Sequence, residues 1–301
     1  LQQEGTDALQ AERIDIDSIA SPFGPSLKCA RFEASINGTV ADDFPPIPSV
    51  ESGVVGKIEA AVLREAISHV VFAAASEESR PVLTGVKVEM DGDDFTFAAA
   101  DGFRLAVYKG KLAQPAPDEV GFIIPARALT EVNRLSAGQS EPIEFTVTPS
   151  KSQALFKLEN VELVSQLVQG TFPNYSQLIP EEHQTRVVVD QANFLRATKT
   201  AAIFARDGSG IIRLQVGGDN GEAKLQISSR AEEVGENQGE IDVKVDAAEG
   251  DSKIAFNAKY LSEVLDVLGQ GEVALEMTSP SSPGVLRPQG RDDYVHGVMP
   301  M

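Results

Sequence analysis

Tryptophan is absent from the chain, and cysteine occurs once, as Cys29. A single thiol excludes an internal disulfide and suits a reducing compartment, so a cytoplasmic location is expected. Long apolar runs are missing too; no stretch approaches the roughly 18 residues that a membrane-spanning helix needs. The opening residues, LQQEGTDALQ, have neither a basic start nor an apolar run, so no signal peptide is expected there. Histidine is scarce, with His69, His183 and His296 set far apart. No HExxH, paired CxxC, GxSxG or P-loop pattern occurs, so no catalytic residue, metal or cofactor is expected. DGDD (Asp91–Asp94) resembles the start of a calcium loop, but its twelfth position holds Gly102 rather than a glutamate. RDGSG (Arg206–Gly210) reads as a turn after a helix.

Basic residues are also in deficit. Lys and Arg number 26 against 45 Asp and Glu, a net charge of −19. Taken alone this argues against a nucleic-acid binder, because phosphates are held by Lys and Arg. It describes the whole surface, however, and a basic patch can sit inside an acidic shell.

What is present is an internal repeat. PARALTEVN (Pro125–Asn133) aligns with NAKYLSEVL (Asn257–Leu265) at an offset of 257 − 125 = 132 residues. The same offset aligns AVLREAISHVVFAA (Ala61–Ala74) with NFLRATKTAAIFAR (Asn193–Arg206), and NGTVADDFPPIP (Asn37–Pro48) with QGTFPNYSQLIP (Gln169–Pro180). Self-similarity of this kind organises a chain, and 301 residues exceed what one compact core usually holds. Pro-rich connectors at Phe44–Pro48 and Phe172–Pro180 separate the units. Each unit reads as a short strand (Val54–Lys57; Arg186–Val189), a helix, antiparallel strands, a second helix (Ala126–Leu135; Ala258–Leu268) and further strands. The alternation of Val86, Val88 and Met90 with polar residues, followed by DGDD, marks a hairpin. The predicted class is α+β, with repeated domains that each pack two helices on antiparallel sheets. Expected boundaries are 1–48, 49–180 and 181–301. A unit before Val54 would start at 54 − 132 = −78, so residues 1–48, with a strand at Arg31–Ile36, are expected to be the last part of a further unit.

The cations follow the repeat. Arg196, Lys199, Ile203 and Arg206 share one helical face, beside a predicted buried stripe of Leu195, Thr198, Ala202 and Ala205. In the first unit Lys57, Arg64 and Ser68 are assigned to one face, with Leu63, Ile67, Val70 and Val71 towards the core. Arg127 and Arg134 share a face of the next helix, and Lys259 occupies the fourth, where Asp266 replaces the second cation. A Lys or Arg stripe on one helix is ordinarily a solvated face; its recurrence on matching helices points to a phosphate track without base readout. With Arg80, the residues Arg64, Arg127, Arg134, Arg196, Lys199, Arg206 and Lys259 are the candidate DNA contacts. Two further stretches look functional: AAADGFRLAV, with a turn inside an apolar run, and the apolar, Met-containing YVHGVMPM, suited to varied peptides.

SRPVLTGV (Ser79–Val86), AADGFRLAV (Ala99–Val107), GTFPNYSQLIP (Gly170–Pro180), FNAKYLSEVL (Phe256–Leu265) and VMPM (Val298–Met301) together resemble the bacterial sliding clamp, the DNA polymerase III beta subunit, from about residue 30 onward. The resemblance implies a DNA-clamp fold of three similar domains per chain. Two chains would close head to tail as a homodimeric ring, with helices facing sequence-independent duplex DNA. It implies a non-catalytic processivity factor in DNA replication that a clamp loader opens. It also implies a pocket for linear motifs of the polymerase III alpha subunit, the loader and repair proteins. Carried over residue by residue, that pocket comprises Leu83, Gly102, Arg104, Leu105, Pro173, Leu178, Asn257, Tyr260, Val298, Met299, Pro300 and Met301. Phe103 stands where the family usually has His, and Gln177 where Arg is frequent. With residues 1–48 read as an incomplete domain, the chain as written is expected to be largely monomeric. The competing readings are a repeat scaffold for peptide or carbohydrate with no DNA role, and an enzyme with a deep carboxylate- or histidine-bearing pocket.

Overall fold

The structure, a computed structural model, describes residues 15–18, 25–29, 31–36, 52–77, 79–206, 209–217, 223–247 and 252–301. The connector expected at Phe44–Pro48 lies outside the described residues. The chain divides into two compact units, Leu1–Ser49 and Val50–Met301.

In the first unit, β1 (Asp15–Ser18), β2 (Pro25–Cys29) and β3 (Phe32–Ser35) form an antiparallel meander in that order. Lys28 and Glu33 face each other across β2 and β3 and pair at 3.2 Å.

The second unit opens with β4 (Val54–Ile58), α1 (Ala60–Val70) and a 3-10 turn (Val71–Ala73). It continues through β5 (Gly85–Asp91), β6 (Asp94–Ala100), β7 (Arg104–Lys111), β8 (Val120–Pro125), α2 (Ala126–Leu135), β9 (Ile143–Val147), β10 (Gln153–Lys157) and β11 (Glu162–Gln166). The pattern then recurs as β12 (Thr185–Asp190), α3 (Gln191–Ala205), β13 (Ile211–Gly217), β14 (Lys224–Ala231), β15 (Gly235–Asp242), β16 (Lys244–Ala247), β17 (Ser252–Asn257), α4 (Ala258–Leu268), β18 (Glu272–Met277), β19 (Gly284–Pro288) and β20 (Tyr294–Val298). The 132-residue offset carries β11 onto β20 and β8 onto β17 with identical bounds, and α2 onto α4 within a residue. It carries β7 onto β15 within a residue. The order strand, helix, strands, helix, strands is the one expected, in an α+β fold.

Local chemistry sets the element ends. Asp190 caps α3 by accepting the Asn193 N–H at 2.9 Å, and Asn257 caps α4 by accepting from Lys259 N–H at 2.9 Å. Gly269, at φ 66°, ends α4 in a conformation that a side chain would resist. The β5–β6 hairpin closes on Gly92 and Asp93, with Gly92 at φ 54°.

Among the described residues, a nine-stranded sheet runs β16-β12-β18-β19-β20-β7-β6-β5-β8, flanked by four-stranded sheets β11-β10-β9-β4 and β15-β14-β13-β17. The seam between repeats is β7 against β20, paired from Tyr108–Tyr294 to Arg104–Val298. The four described helices form one row: α1 touches α2 and α4, and α4 touches α3. The larger core lies between helices and sheets, where Leu63, Phe97, Phe145, Phe194, Phe256 and Leu261 are fully buried. A smaller core lies on the other side of the seam, where Leu83, Leu105, Val107, Phe172, Val285 and Val295 pack together.

Two sequence expectations need correction here. Lys57 stands on β4, as the expected strand Val54–Lys57 has it, and the helix begins only at Ala60, so Lys57 shares no helical face with Arg64 and Ser68. On α3 the buried stripe is centred on Phe194, Thr198, Ala201 and Ala205; Leu195 and Ala202 are only half-buried. The large Phe194 side chain rotates the buried arc towards itself, which keeps Arg196, Lys199, Ile203 and Arg206 exposed as expected. No described helix is long and apolar enough to cross a membrane.

Candidate functional site

The row of helices carries the first set of candidate residues. Arg127, Arg134, Arg196, Lys199, Arg206 and Lys259 are all exposed. Several have neighbours: Arg134 pairs with Glu131 at 2.8 Å, Lys199 with Asp266 across α3 and α4 at 2.9 Å, and Lys259 with Glu263 at 3.9 Å. Exposed pairs of this kind hold weakly and exchange with solvent or an incoming anion at little cost. Ile203 is 61% exposed among these cations. Arg64 differs from the rest. It is half-buried, and its Nη1 donates to Ser136 O at 2.8 Å and Gln139 O at 3.0 Å, at the C-terminal end of α2. Arg80 is exposed too, but beside Gly102 in the cleft described next rather than on the helices.

The second set converges on the seam, and the sheet divides it. Successive side chains on a strand point to opposite faces. Leu105 and Val295 therefore face the smaller core, while Arg104 and Val298 face the helices. Val298 has no exposed surface and packs in the larger core. Leu83 and Leu105 floor the smaller core, with Phe172, Tyr175 and Ile179 of the connector packed on it. Pro173 is exposed on the connector, Leu178 is 50% exposed on the 3-10 turn Tyr175–Leu178, and Met299 is 39% exposed on the tail. Gly297 pairs with Leu105, and a Cβ built on it meets no heavy atom within 4 Å, which leaves room beside the Leu105 side chain. Met299 N–H donates to Phe103 O at 2.8 Å, which extends the seam ladder, and Met301 N–H donates to Ala255 O on β17, in the neighbouring sheet, at 2.9 Å.

On the helix side of the seam lies a cleft of about 460 Å³ lined by Phe72, Arg80, Asp101, Phe103, Arg104 and Tyr260 among others. Gly102, at φ 95°, makes the β6–β7 turn possible, and Asp101 Oδ1 closes it by accepting from the Phe103 and Arg104 amides at 2.9 and 3.0 Å. The Arg104 guanidinium is 8% exposed, bonds Asp101 at 3.0 Å and Glu263, and lies over the rings of Tyr260 at 4.6 Å and Phe72 at 5.4 Å. It cross-links the β6–β7 turn to α4. Burial, then the Asp101 charge, raises the Tyr260 phenol above its ordinary value. Asn257 is occupied as the α4 cap. Phe103, 50% exposed and stacked on Tyr260 at 6.2 Å, is not among the sequence candidates; its place after the Asp101–Gly102 turn is the available signal.

His296 is buried behind this cleft, stacked on Phe72 at 5.4 Å, with Nδ1 3.3 Å from the Tyr294 hydroxyl and Nε2 without a partner. Burial, and secondarily the Arg104 charge, push its pKa down to about 3. It is sealed from solvent, so it cannot serve as the accessible base that an enzymatic reading requires.

Comparison with known proteins gives one consistent answer. Residues 57–174 match the family model "DNA polymerase III beta subunit, central domain", and residues 176–301 match the corresponding "C-terminal domain" model. The chain is 31% identical over 270 residues to the beta sliding clamp of Staphylococcus aureus, covering 89% of this chain and 70% of that protein. It is 30% identical over 277 residues to the beta sliding clamp of Bacillus subtilis, covering 91% and 71%. Among solved structures, the DNA polymerase sliding clamp of B. subtilis superposes with a TM-score of 0.87 at 27% identity, covering all of this chain and 78% of that one. The DNA polymerase III beta subunit of Pseudomonas aeruginosa gives 0.86 at 26% identity, covering 100% and 80%.

Proposed function

The chain belongs to the DNA polymerase III beta subunit family, the beta sliding clamps, and on that premise we propose that it is a cytoplasmic processivity factor that encircles duplex DNA and tethers the replicative polymerase. The row of helices is the DNA-facing surface, with Arg127, Arg134, Arg196, Lys199, Arg206 and Lys259 meeting phosphates of any sequence. Arg64 acts on this surface indirectly, by holding α2 in place. The groove beside the seam, between Leu105, Leu178 and Met299, takes the linear motifs of the polymerase alpha subunit, the clamp loader and repair proteins. Residues 49–180 and 181–301 are its two repeated domains, and its role is mechanical rather than catalytic.

One observation carries the encircling part of this reading. The repeats join edge to edge through β7 and β20, and their counterparts remain open: β15, the equivalent of β7, and β11, the equivalent of β20, are both sheet edges among the described residues. An edge that has paired once with its complement inside the chain can pair again with another chain. Such a contact is head to tail, and it gives a closed ring when the rotation per unit divides the circle. A peptide or carbohydrate scaffold with no DNA role accounts for neither the family membership nor the exposed cations on an acidic protein.

The test replaces Arg196, Lys199 and Arg206 with Ala. Duplex affinity is expected to fall equally for unrelated sequences, and the log–log salt slope to become shallower by about one unit for each phosphate that is no longer neutralised. An unchanged slope in the folded triple variant takes DNA off this face.

A further inference from the structure

On the face of the β13–β17 sheet turned away from α3, a cleft of about 310 Å³ is bounded by Arg213, Gln215, Gln226, Ser228, Lys253 and Met301. The pleat explains the grouping. Ile212, Leu214, Val216 and Ile254 are buried towards the helices, so Arg213, Gln215 and Lys253 point the other way. Gln215 lies opposite both Gln226 and Lys253, and Arg213 opposite Ser228 and Ala255. Among the described residues no Asp or Glu lines the cleft. The nearest carboxylate by register is Glu240, opposite Gln226, and it is held by Lys224 at 3.4 Å and Gln226 at 3.5 Å. On a chain of net charge −19, two cations with hydrogen-bonding neighbours and, among the described residues, no acid lining their cleft form an anion-receptive surface.

The cleft shares the C-terminal tail with the groove assigned to linear motifs. Met301 is one wall of it, is held to Ala255 by its amide, and directly follows Met299 and Pro300 of that groove. We propose that this cleft takes acidic residues flanking the apolar core of a bound linear motif, an inference that rests on the motif-binding reading above. Arg213 and Lys253 would pair with the carboxylates, while Gln215, Gln226 and Ser228 offer side-chain bonds to the peptide backbone. A nucleic-acid strand fits less well. No aromatic side chain lines the cleft for a base to stack on, and it opens on the face opposite the basic helices.

Fluorescence anisotropy on the intact chain tests this with four labelled peptides: a Gln-Leu-Ser-Leu-Phe core alone, and the same core flanked on both sides by Glu, Ser or Lys triplets. At low salt the Glu-flanked form is expected to bind about three- to tenfold more tightly than the Ser-flanked form, the range that two exposed ion pairs supply. The Lys-flanked form should be the weakest of the three. The Arg213→Glu, Lys253→Glu double variant, checked for folding by circular dichroism, should lose the Glu preference and keep the Ser-flanked affinity. Arg213→Lys should retain most of the preference, and 0.5 M salt should erase it, at a screening length of about 4 Å. Equal binding of Glu- and Ser-flanked peptides to the wild-type chain overturns the proposal, as does a preference that survives charge reversal. So does an oligo-dT that loses affinity on charge reversal while all peptides are unaffected. Failure of every peptide, the core included, counts against the groove as well; a core that binds without any charge effect counts against the cleft alone.

Discussion

His296 shows what one buried side chain does to the stability of the whole. Its imidazole has no exposed surface and an unbonded Nε2, so the charged form is excluded from the folded state. The pKa is depressed to about 3 when folded and close to 6.5 when unfolded. Between those values the unfolded chain binds a proton that the folded chain does not. The contribution of this group to stability is therefore complete above about pH 6.5 and is lost as pH falls towards 3, by up to about 1.4 kcal/mol per unit. His69, lowered mainly by burial, acts in the same direction. Urea titrations of His296→Phe, which preserves the stack on Phe72, are expected to show a shallower loss between pH 6.5 and 4. A variant as acid-sensitive as the wild type would place that sensitivity in other groups. At this scale the sequence is legible only in part. Leu105 and Arg104 are neighbours, and strand alternation alone puts them on opposite faces; the family resemblance groups them in one pocket. That His296 and Val298 are sealed depends on Phe72, stacked on the histidine, and on α4 packed against β20, which sequence spacing does not reveal.

Elements are the most legible level. Both copies of the second helix match their expected bounds, because a Pro or Asn before Ala and an i, i+3 apolar spacing (Leu129 and Val132; Leu261 and Val264) fix start and face together. The first helices are less clear, since the larger apolar side chains of α3 do not share one face: Phe194 is buried, Leu195 and Phe204 are half-buried and Ile203 is exposed. Its place in a cationic stripe assigns Arg64 to phosphate, yet its guanidinium bonds two carbonyls just past α2. Ser136 O also accepts the Gln139 N–H at 3.0 Å, and both carbonyls lie just past a helix C-terminus, where a cation is favoured. Arg64→Ala should cost about 2 kcal/mol, a charged bond to a part-buried acceptor being the main loss. Calorimetry should show a melting point lower by roughly 4–8 °C. Duplex affinity, measured well below that temperature, should change less than in Arg127→Ala. The opposite ranking would return Arg64 to the DNA surface.

For the whole molecule, the seam has a thermodynamic consequence. Repeat proteins whose units touch only through separate interfaces can melt unit by unit. Here the two copies share a hydrogen-bonded ladder from Tyr108–Tyr294 to Arg104–Val298, and the larger core runs without interruption beneath it. Opening one copy would expose an edge strand and strip the apolar cover from the other, so neither is expected to have a stable half-unfolded form. Native-state amide exchange is the direct measurement: β7 and β20 should exchange at one common rate that falls in parallel with added denaturant, and β10 and β18 should join them. Two protection classes, one for each copy, would mean that they open independently. Cooperativity across a duplicated sequence also couples distant substitutions. A destabilising change in the core beneath α1 lowers the population of intact β20, and with it the tail at Met299, although no atom near the tail has moved.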